Sequence, residues 1–202
     1  SSAEREISLL SGGTVARDLA AAGFDVQCLD PAVSGWWRAL RDIDFVFNVL
    51  HGRGGEDGTI QGYLDTLGVP YSGSGVLGSA LAMDKFRSKV IWQGLGLPTP
   101  AYRLVEGSER PVGVLEALGP VFVKPVREGS SIGMGRAEDE AALARACDVA
   151  SRYGESVLIE QAVDGPEYTA SVLDDDVLPL IRIETPRDFY DYEAKYAAND
   201  TR

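Results

Sequence analysis

The stretch at 121–134, V-F-V-K-P-V-R-E-G-S-S-I-G-M, constrains the fold most, because an apolar run bearing one lysine leads directly into a loop of glycines and serines. A lysine in a buried strand must keep its ammonium charged against desolvation, and a polyphosphate is a fitting countercharge for Lys124. The following loop suits phosphate oxygens: Gly129 and Gly133 are free to take positive φ, and Ser130 and Ser131 add hydroxyl donors. The plainer reading is a strand-end lysine reaching solvent before a polar turn. No Walker pattern G-x-x-x-x-G-K-[ST] occurs, and the stretch does not match the dinucleotide G-x-G-x-x-G that follows a first strand. A different phosphate-binding scheme is required.

With 202 residues, 45% hydrophobic and 25% charged, the chain can bury a real core as one large domain or two small ones. It has no apolar run long enough to cross a membrane and no segment resembling a signal peptide, so a cytoplasmic setting is expected. Cys28 and Cys147 form neither a C-x-x-C pair nor a zinc spacing, which fits a reducing compartment. Thirty-one acidic against 19 basic residues give a net charge of -12, a field that repels nucleic acid. Any anion must therefore be held by a local cluster. The chain opens at Ser1 and stops at Arg202 within a polar segment, and it reads as part of a longer protein.

A first helix is expected from a capping box of Ser1 and Glu4, with Ile7, Leu10, Val15 and Leu19 as its apolar stripe and Gly23 as its end. Strands are expected at 24–29 and 45–50, a short helix at 36–40, a helix at 59–67 after the glycine-rich turn 52–58, and a short strand at Pro70 and Tyr71. This alternation implies a parallel sheet. A long helix at 76–95 follows, then strand 102–105, helix 114–118, strand 121–124, helix 138–151 and strand 157–160. Alternating runs at 168–173 and 177–183 around Asp174-Asp175-Asp176 read as a hairpin. The resulting division is 1–74, 75–164 and 165–202.

The only histidine, His51, opens H-G-R-G-G-E-D-G at the end of an expected buried strand, where ligands bind in open α/β sheets. A structural histidine with a tight turn, Asp57 capping the next helix, is the alternative. Glu160 ends V-L-I-E and Glu167 follows the turn D-G-P. The peptide groups of Gln161 to Val163 offer an edge for an adenine, with the carboxylates near ribose hydroxyls. Either glutamate alone is equally an ordinary strand-end residue, and Lys85 in M-D-K-F-R-S-K an ordinary solvated one. The run F-Y-D-Y-E-A-K-Y, with Tyr190, Tyr192, Lys195 and Tyr196, lacks periodicity and suits a loop that closes over a polar site and excludes water.

Five motifs in order, S-A-E-R-E at Ser2, H-G-R-G-G-E-D-G at His51, S-G-V-L-G-S-A-L-A-M-D-K at Ser74, V-K-P-V-R-E-G-S-S-I-G-M at Val123 and Y-D-Y-E-A-K-Y at Tyr190, make the sequence similar to the D-alanine:D-alanine ligase family of ATP-grasp enzymes. The resemblance covers essentially the whole chain. It implies an α/β and α+β ATP-grasp fold: an N-terminal Rossmann-like parallel-sheet domain, a central α+β domain and an incomplete C-terminal ATP-grasp domain. It also implies ATP-dependent ligation of two D-alanine molecules through a D-alanyl phosphate, for peptidoglycan precursors. Under it, Glu4 orients the first D-alanine's amino group and His51 lies near the carboxylate that is phosphorylated. Lys85 and Lys124 bind ATP phosphates, and Lys195 contacts the γ-phosphate. Ser130 and its loop help position substrate and close the site, and Ser131 of that loop binds ATP. Glu160, Gln161, Val163 and Glu167 hold the adenine and ribose end, Gln161 standing where many members carry lysine. Tyr196 shapes the second substrate pocket, linked by hydrogen bonds to Ser130 and Glu4.

The resemblance further implies a first strand ahead of Glu4 and a segment beyond Arg202 that supplies ligands for two Mg²⁺ or Mn²⁺ ions, with no metal ligand in this chain. It implies a homodimer through the N-terminal domain, with Trp36, Trp37 and the first helix as contact candidates. Other readings are a D-alanine:D-lactate or D-alanine:D-serine ligase, to which Tyr196 is ill suited, and a non-catalytic ATP-grasp module, which would lack need of Glu4, His51 or Tyr196. An NAD-binding Rossmann reading lacks its glycine fingerprint after the first strand.

Overall fold

The computed structural model describes residues 4–106, 109, 111–186, 195–196 and 201. Two compact units organise the chain, Ser1–Gly94 and Leu95–Arg202.

In the first unit, helix α1 spans Arg5–Ala21, with Glu4 at its N-cap position rather than inside its first turn. The expected capping box is therefore corrected: the Glu4 side chain caps nothing, and Ser1 lies outside the described residues. Of the expected stripe Ile7, Val15 and Leu19 are half-buried and Leu10 is exposed, and no residue of α1 is fully buried. Small residues are half-buried as well, and a Cβ on Gly12 would sit 3.6 Å from Val49 Cγ2. A 3-10 helix, Trp36–Asp42, supplies Leu40 to a small core with Ile60 and Leu64 of α2 (Thr59–Leu67). Around it pack Leu29, Trp36, Val46, Leu50, Val69 and Tyr71.

The strands expected at 24–29 and 45–50 are not formed. The extended chain there makes one isolated parallel bridge, Val46 with Tyr71, and Phe24, Phe45 and Phe47 are exposed. Apolar alternation makes a segment capable of pairing, but a ladder needs partners on its flanks. The long helix expected at 76–95 is two helices, α3 (Val76–Met83) and α4 (Lys85–Gly94). Asp84 leaves helical geometry with ψ 97, and its Oδ1 accepts the Arg87 N–H at 2.9 Å, the bond of an N-cap aspartate. One run, G-S-G-V-L-G at 73–78, does fit G-x-G-x-x-G, but it follows the Tyr71 bridge, the last extended segment of this unit, instead of a first strand.

The second unit is a four-stranded antiparallel sheet in the order β1-β4-β2-β3: β1 Tyr102–Glu106, β2 Val121–Pro125, β3 Gly135–Ala137 and β4 Ser156–Gln161. Helices α5 (Val114–Leu118) and α6 (Glu140–Ala150) accompany it. The strict alternation of β2 splits its side chains by face. Val121 and Val123 are fully buried in the core with Val157 and Ile159 of β4 and Leu143, Ala146 and Ala150 of α6. Phe122 and Lys124 therefore point to the opposite face. Beyond β4, strands β5 (Glu167–Thr169) and β8 (Ile181–Ile183) pair, as do β6 (Val172–Leu173) and β7 (Asp176–Val177). Leu173 faces Asp176 across a two-residue turn, and Asp174 takes φ 53, so the hairpin expected from three aspartates is present.

Candidate functional site

In the first unit, helix spacing brings chemistry to one face of α1. Residues 4, 8 and 11 are separated by four and three positions, so they form one stripe. Glu4 is 1% exposed, and one donor atom from each of Glu4, His51 and Glu56 lies within 4.8 Å of the other two. Ser8 Oγ accepts the His51 N–H at 2.9 Å and donates to the Glu4 carbonyl at 3.3 Å. Ser11 Oγ is 3.3 Å from His51 Nε2.

The His51 loop is held by side-chain to backbone bonds. Glu56 Oε2 accepts the Gly52 N–H at 2.5 Å, while Asn48 Nδ2 and Gln61 Nε2 donate to the Gly55 carbonyl at 3.0 and 2.9 Å. Gly55 is required by contact: a Cβ there would meet Leu50 Cβ at 2.3 Å. Asp57 accepts the N–H groups of Gly54 and Thr59, the second being the first residue of α2, although the N-cap position itself is Gly58 and not Asp57. Burial pushes the Asp57 carboxyl upward most strongly of the single influences, but its hydrogen bonds together outweigh this and its pKa is lowered. At the start of α1, Arg5 donates to both oxygens of Asp30 at 2.9 and 2.6 Å. That bidentate bond and the Ala32 N–H hold the Asp30 carboxyl down to about 2. Lys85 begins α4, half-buried, directly after the capping Asp84.

In the second unit, Lys124 forms an ion pair with Glu160 on the face of β2 and β4 opposite the valine core, where Leu158 is also buried. Register explains it: Phe122 lies opposite Glu160 and Lys124 opposite Leu158, so the charged pair is diagonal. The Lys124 ammonium also stands 5.6 Å from the centre of the Phe122 ring. Sequence reasoning placed these two groups separately and missed that each is the other's countercharge.

The loop after β2 departs from expectation in one respect. Left-handed backbone falls on Ser130 (φ 51), Ser131 (φ 57) and Gly133 (φ 69), and not on Gly129. Two successive serines there cost about 1–2 kcal/mol each. Their hydroxyls are engaged: Lys195 Nζ donates to Ser131 Oγ at 2.9 Å, and Ser130 Oγ and Tyr196 Oη lie 2.6 Å apart. The N–H groups of Gln161 and Ala162 are taken by the carbonyls of Ala101 and Pro120, at 2.9 and 2.8 Å, and Val163 beside them is exposed. Glu167 is exposed at the start of β5. Tyr190 and Tyr192 lie outside the described residues.

Sequence-expected residues thus gather into three sets, Glu4 with His51 in the first unit, and Lys124 with Glu160, and Ser130–Ser131 with Tyr196 and Lys195, in the second. The first group also contains Ser8, Ser11 and Glu56, which sequence reasoning missed. Spacing of 4, 8 and 11 was the available signal, masked because small polar residues leave no apolar periodicity.

Comparison with known proteins gives these groups a context. The family described as D-ala D-ala ligase C-terminus matches residues 91–202, and the one described as D-ala D-ala ligase N-terminus matches residues 37–74. The D-alanine-D-alanine ligase of Halorhodospira halophila is 57% identical over 99% of this chain and 65% of its own length. That of Pseudomonas entomophila is 50% identical over 100% of this chain and 64% of its own. The chain therefore spans about two thirds of the length of these curated relatives. The crystal structure of D-alanine-D-alanine ligase from Bacillus anthracis covers 100% of this chain and 67% of that one, with TM-score 0.85 and 35% identity. A structure of the Bacillus anthracis ligase complexed with ATP superposes with TM-score 0.75 at 31% identity, covering 94% of this chain and 65% of that one. With more than half of its residues within one family match and its mixed α/β and α+β architecture shared with ATP-grasp ligases, the chain belongs to the D-alanine:D-alanine ligase family.

Proposed function

We propose that the protein carrying this chain joins two D-alanine molecules into D-alanyl-D-alanine, using one ATP per dipeptide, in peptidoglycan precursor synthesis. The observation that supports this most is that Lys195 and Tyr196 reach consecutive serines of the Gly/Ser loop, 131 and 130. A phosphate-binding loop tied to a lysine and a tyrosine of a distant segment suits a reaction that must hold a phosphoryl group and then exclude water.

In this reading a carboxylate oxygen of the first D-alanine attacks the γ-phosphorus and ADP leaves, which turns a poor electrophile into an acyl phosphate. The amine of the second D-alanine attacks the carbonyl carbon, a C–N bond forms, the amine loses a proton and phosphate departs. Glu4 accepts the first ammonium and His51 sits by the carboxylate. Lys85 and Lys124 offset phosphate charge, Lys195 faces the transferred group, and Ser130, Ser131 and Tyr196 order the loop. Glu160, Gln161, Val163 and Glu167 take the adenine and ribose end, and Tyr190 and Tyr192 belong to the closing segment. Lys124 reaches phosphate by sharing or leaving Glu160.

Among the described residues the metal-competent group is Glu4, His51 and Glu56. It does not fit Mg²⁺, which favours an octahedral oxygen shell over imidazole. The reading includes domains at 1–74, 75–164 and 165–202, a cytoplasmic setting and a homodimer. Among the described residues no helix is long and apolar enough to cross a membrane.

The test is phosphate release by the full-length protein from ATP with Mg²⁺, with D-alanine, L-alanine or D-lactate added. Release dependent on D-alanine with a dipeptide product is expected. Release that requires D-lactate beside D-alanine would assign the depsipeptide reaction instead, and tight ATP binding without turnover would indicate a non-catalytic module.

A further inference from the structure

We propose that Ser8 and Ser11 are positioning residues for His51, one fixing its backbone and the other its ring. The inference rests on the reading of His51 as a substrate-site residue. The stretch leading to His51 makes one isolated bridge, Val46 with Tyr71, and helix α1 adds side-chain hydrogen bonds to it. Ser8 Oγ accepts the His51 N–H at 2.9 Å and donates to the Glu4 carbonyl at 3.3 Å, which links the backbones of both site residues through one hydroxyl. One turn further on, Ser11 Oγ meets Nε2 at 3.3 Å, so the ring has one nitrogen occupied and the other left for a substrate group.

The approach of the helix makes this possible. A Cβ on Gly12 would stand 3.6 Å from Val49 Cγ2, so α1 packs closely beside the segment that carries His51. Arg5, gripped by Asp30 through two hydrogen bonds, holds the N-terminal end of the same helix. Small hydroxyl side chains at 8 and 11 are the residues that both allow this approach and form hydrogen bonds at it.

Ser11→Ala tests the ring, because alanine preserves the helix. In the full-length protein, the His51 ring ¹⁵N resonances, identified by their loss in His51→Asn, are expected to move from one predominant tautomer towards a mixture. The KM for D-alanine is expected to rise about tenfold, with a smaller change in kcat, and Ser11→Thr to restore both. Ser8→Ala is expected to speed hydrogen exchange of the His51 amide about tenfold. Ser151→Ala, which removes a hydroxyl bonded to the Asp148 carbonyl at 3.1 Å, serves as the control and leaves His51 unchanged. Ring resonances indifferent to Ser11→Ala would overturn the inference even if D-alanine turnover is present. Ring resonances that respond in a protein without D-alanine turnover would uphold the positioning and sink the ligase reading alone.

Discussion

Gly133 shows how tightly single positions are specified around the loop. It has φ 69, and a Cβ there would meet Tyr153 Cδ2 at 2.6 Å and Pro125 Cγ at 2.9 Å. Gly133→Ala should lower stability by about 1–3 kcal/mol in urea titration, and an unchanged midpoint would contradict this packing. Lys124 and Glu160 make a second residue-level case, with side chains 23% and 13% exposed. Lys124→Met removes the proposed phosphate partner and takes a countercharge from a largely buried carboxylate. The full-length variant is therefore expected to bind ATP at least about tenfold more weakly by calorimetry and to lose about 1–3 kcal/mol of stability. Glu160→Gln keeps the cation and should melt nearer the wild type. The sequence made Lys124 and the Gly/Ser loop conspicuous because one charge in an apolar strand is anomalous. It did not disclose Glu160 as the partner, since that requires the β2–β4 register.

Among the elements, α2 and α5 are legible in sequence to the residue, because glycines bound each at both ends, at Gly58 and Gly68 and at Gly113 and Gly119. The break between α3 and α4 is not, because Met83-Asp84-Lys85 carries no glycine or proline and the capping role of Asp84 becomes visible only in its bond to Arg87. The segments at 24–29 and 45–50 are strand-like in composition, yet composition states a capacity to pair and not the presence of a partner. Helix α1 is likewise set by a long-range contact, the Arg5–Asp30 clamp. The Asp30 carboxyl is lowered from 3.8 to about 2, chiefly by the hydrogen bond from Arg5. A lowered carboxyl pKa contributes stability that is complete above the unfolded value and lost as pH falls through the folded one. Wild type should therefore exceed Asp30→Asn in stability at neutral pH, with the difference shrinking between pH 3.8 and about pH 2. Parallel melts of the two proteins over that range check it, and a constant difference would contradict the clamp.

At the scale of the molecule, the chain is two compact units, each bearing a cluster of polar groups beside its own core. The first offers carboxylates and an imidazole, and the second lysines, serines and a tyrosine. In the proposed ligase reading the two sets serve an amino acid and a phosphate in one reaction, whose central claim is an acyl phosphate. The most direct measurement supplies the full-length protein with ATP and D-alanine labelled with ¹⁸O in its carboxylate, and analyses the released phosphate by mass spectrometry. Carboxyl phosphorylation followed by attack of the amine at carbon predicts one ¹⁸O in each phosphate per dipeptide formed. Dipeptide accompanied by unlabelled phosphate would contradict it.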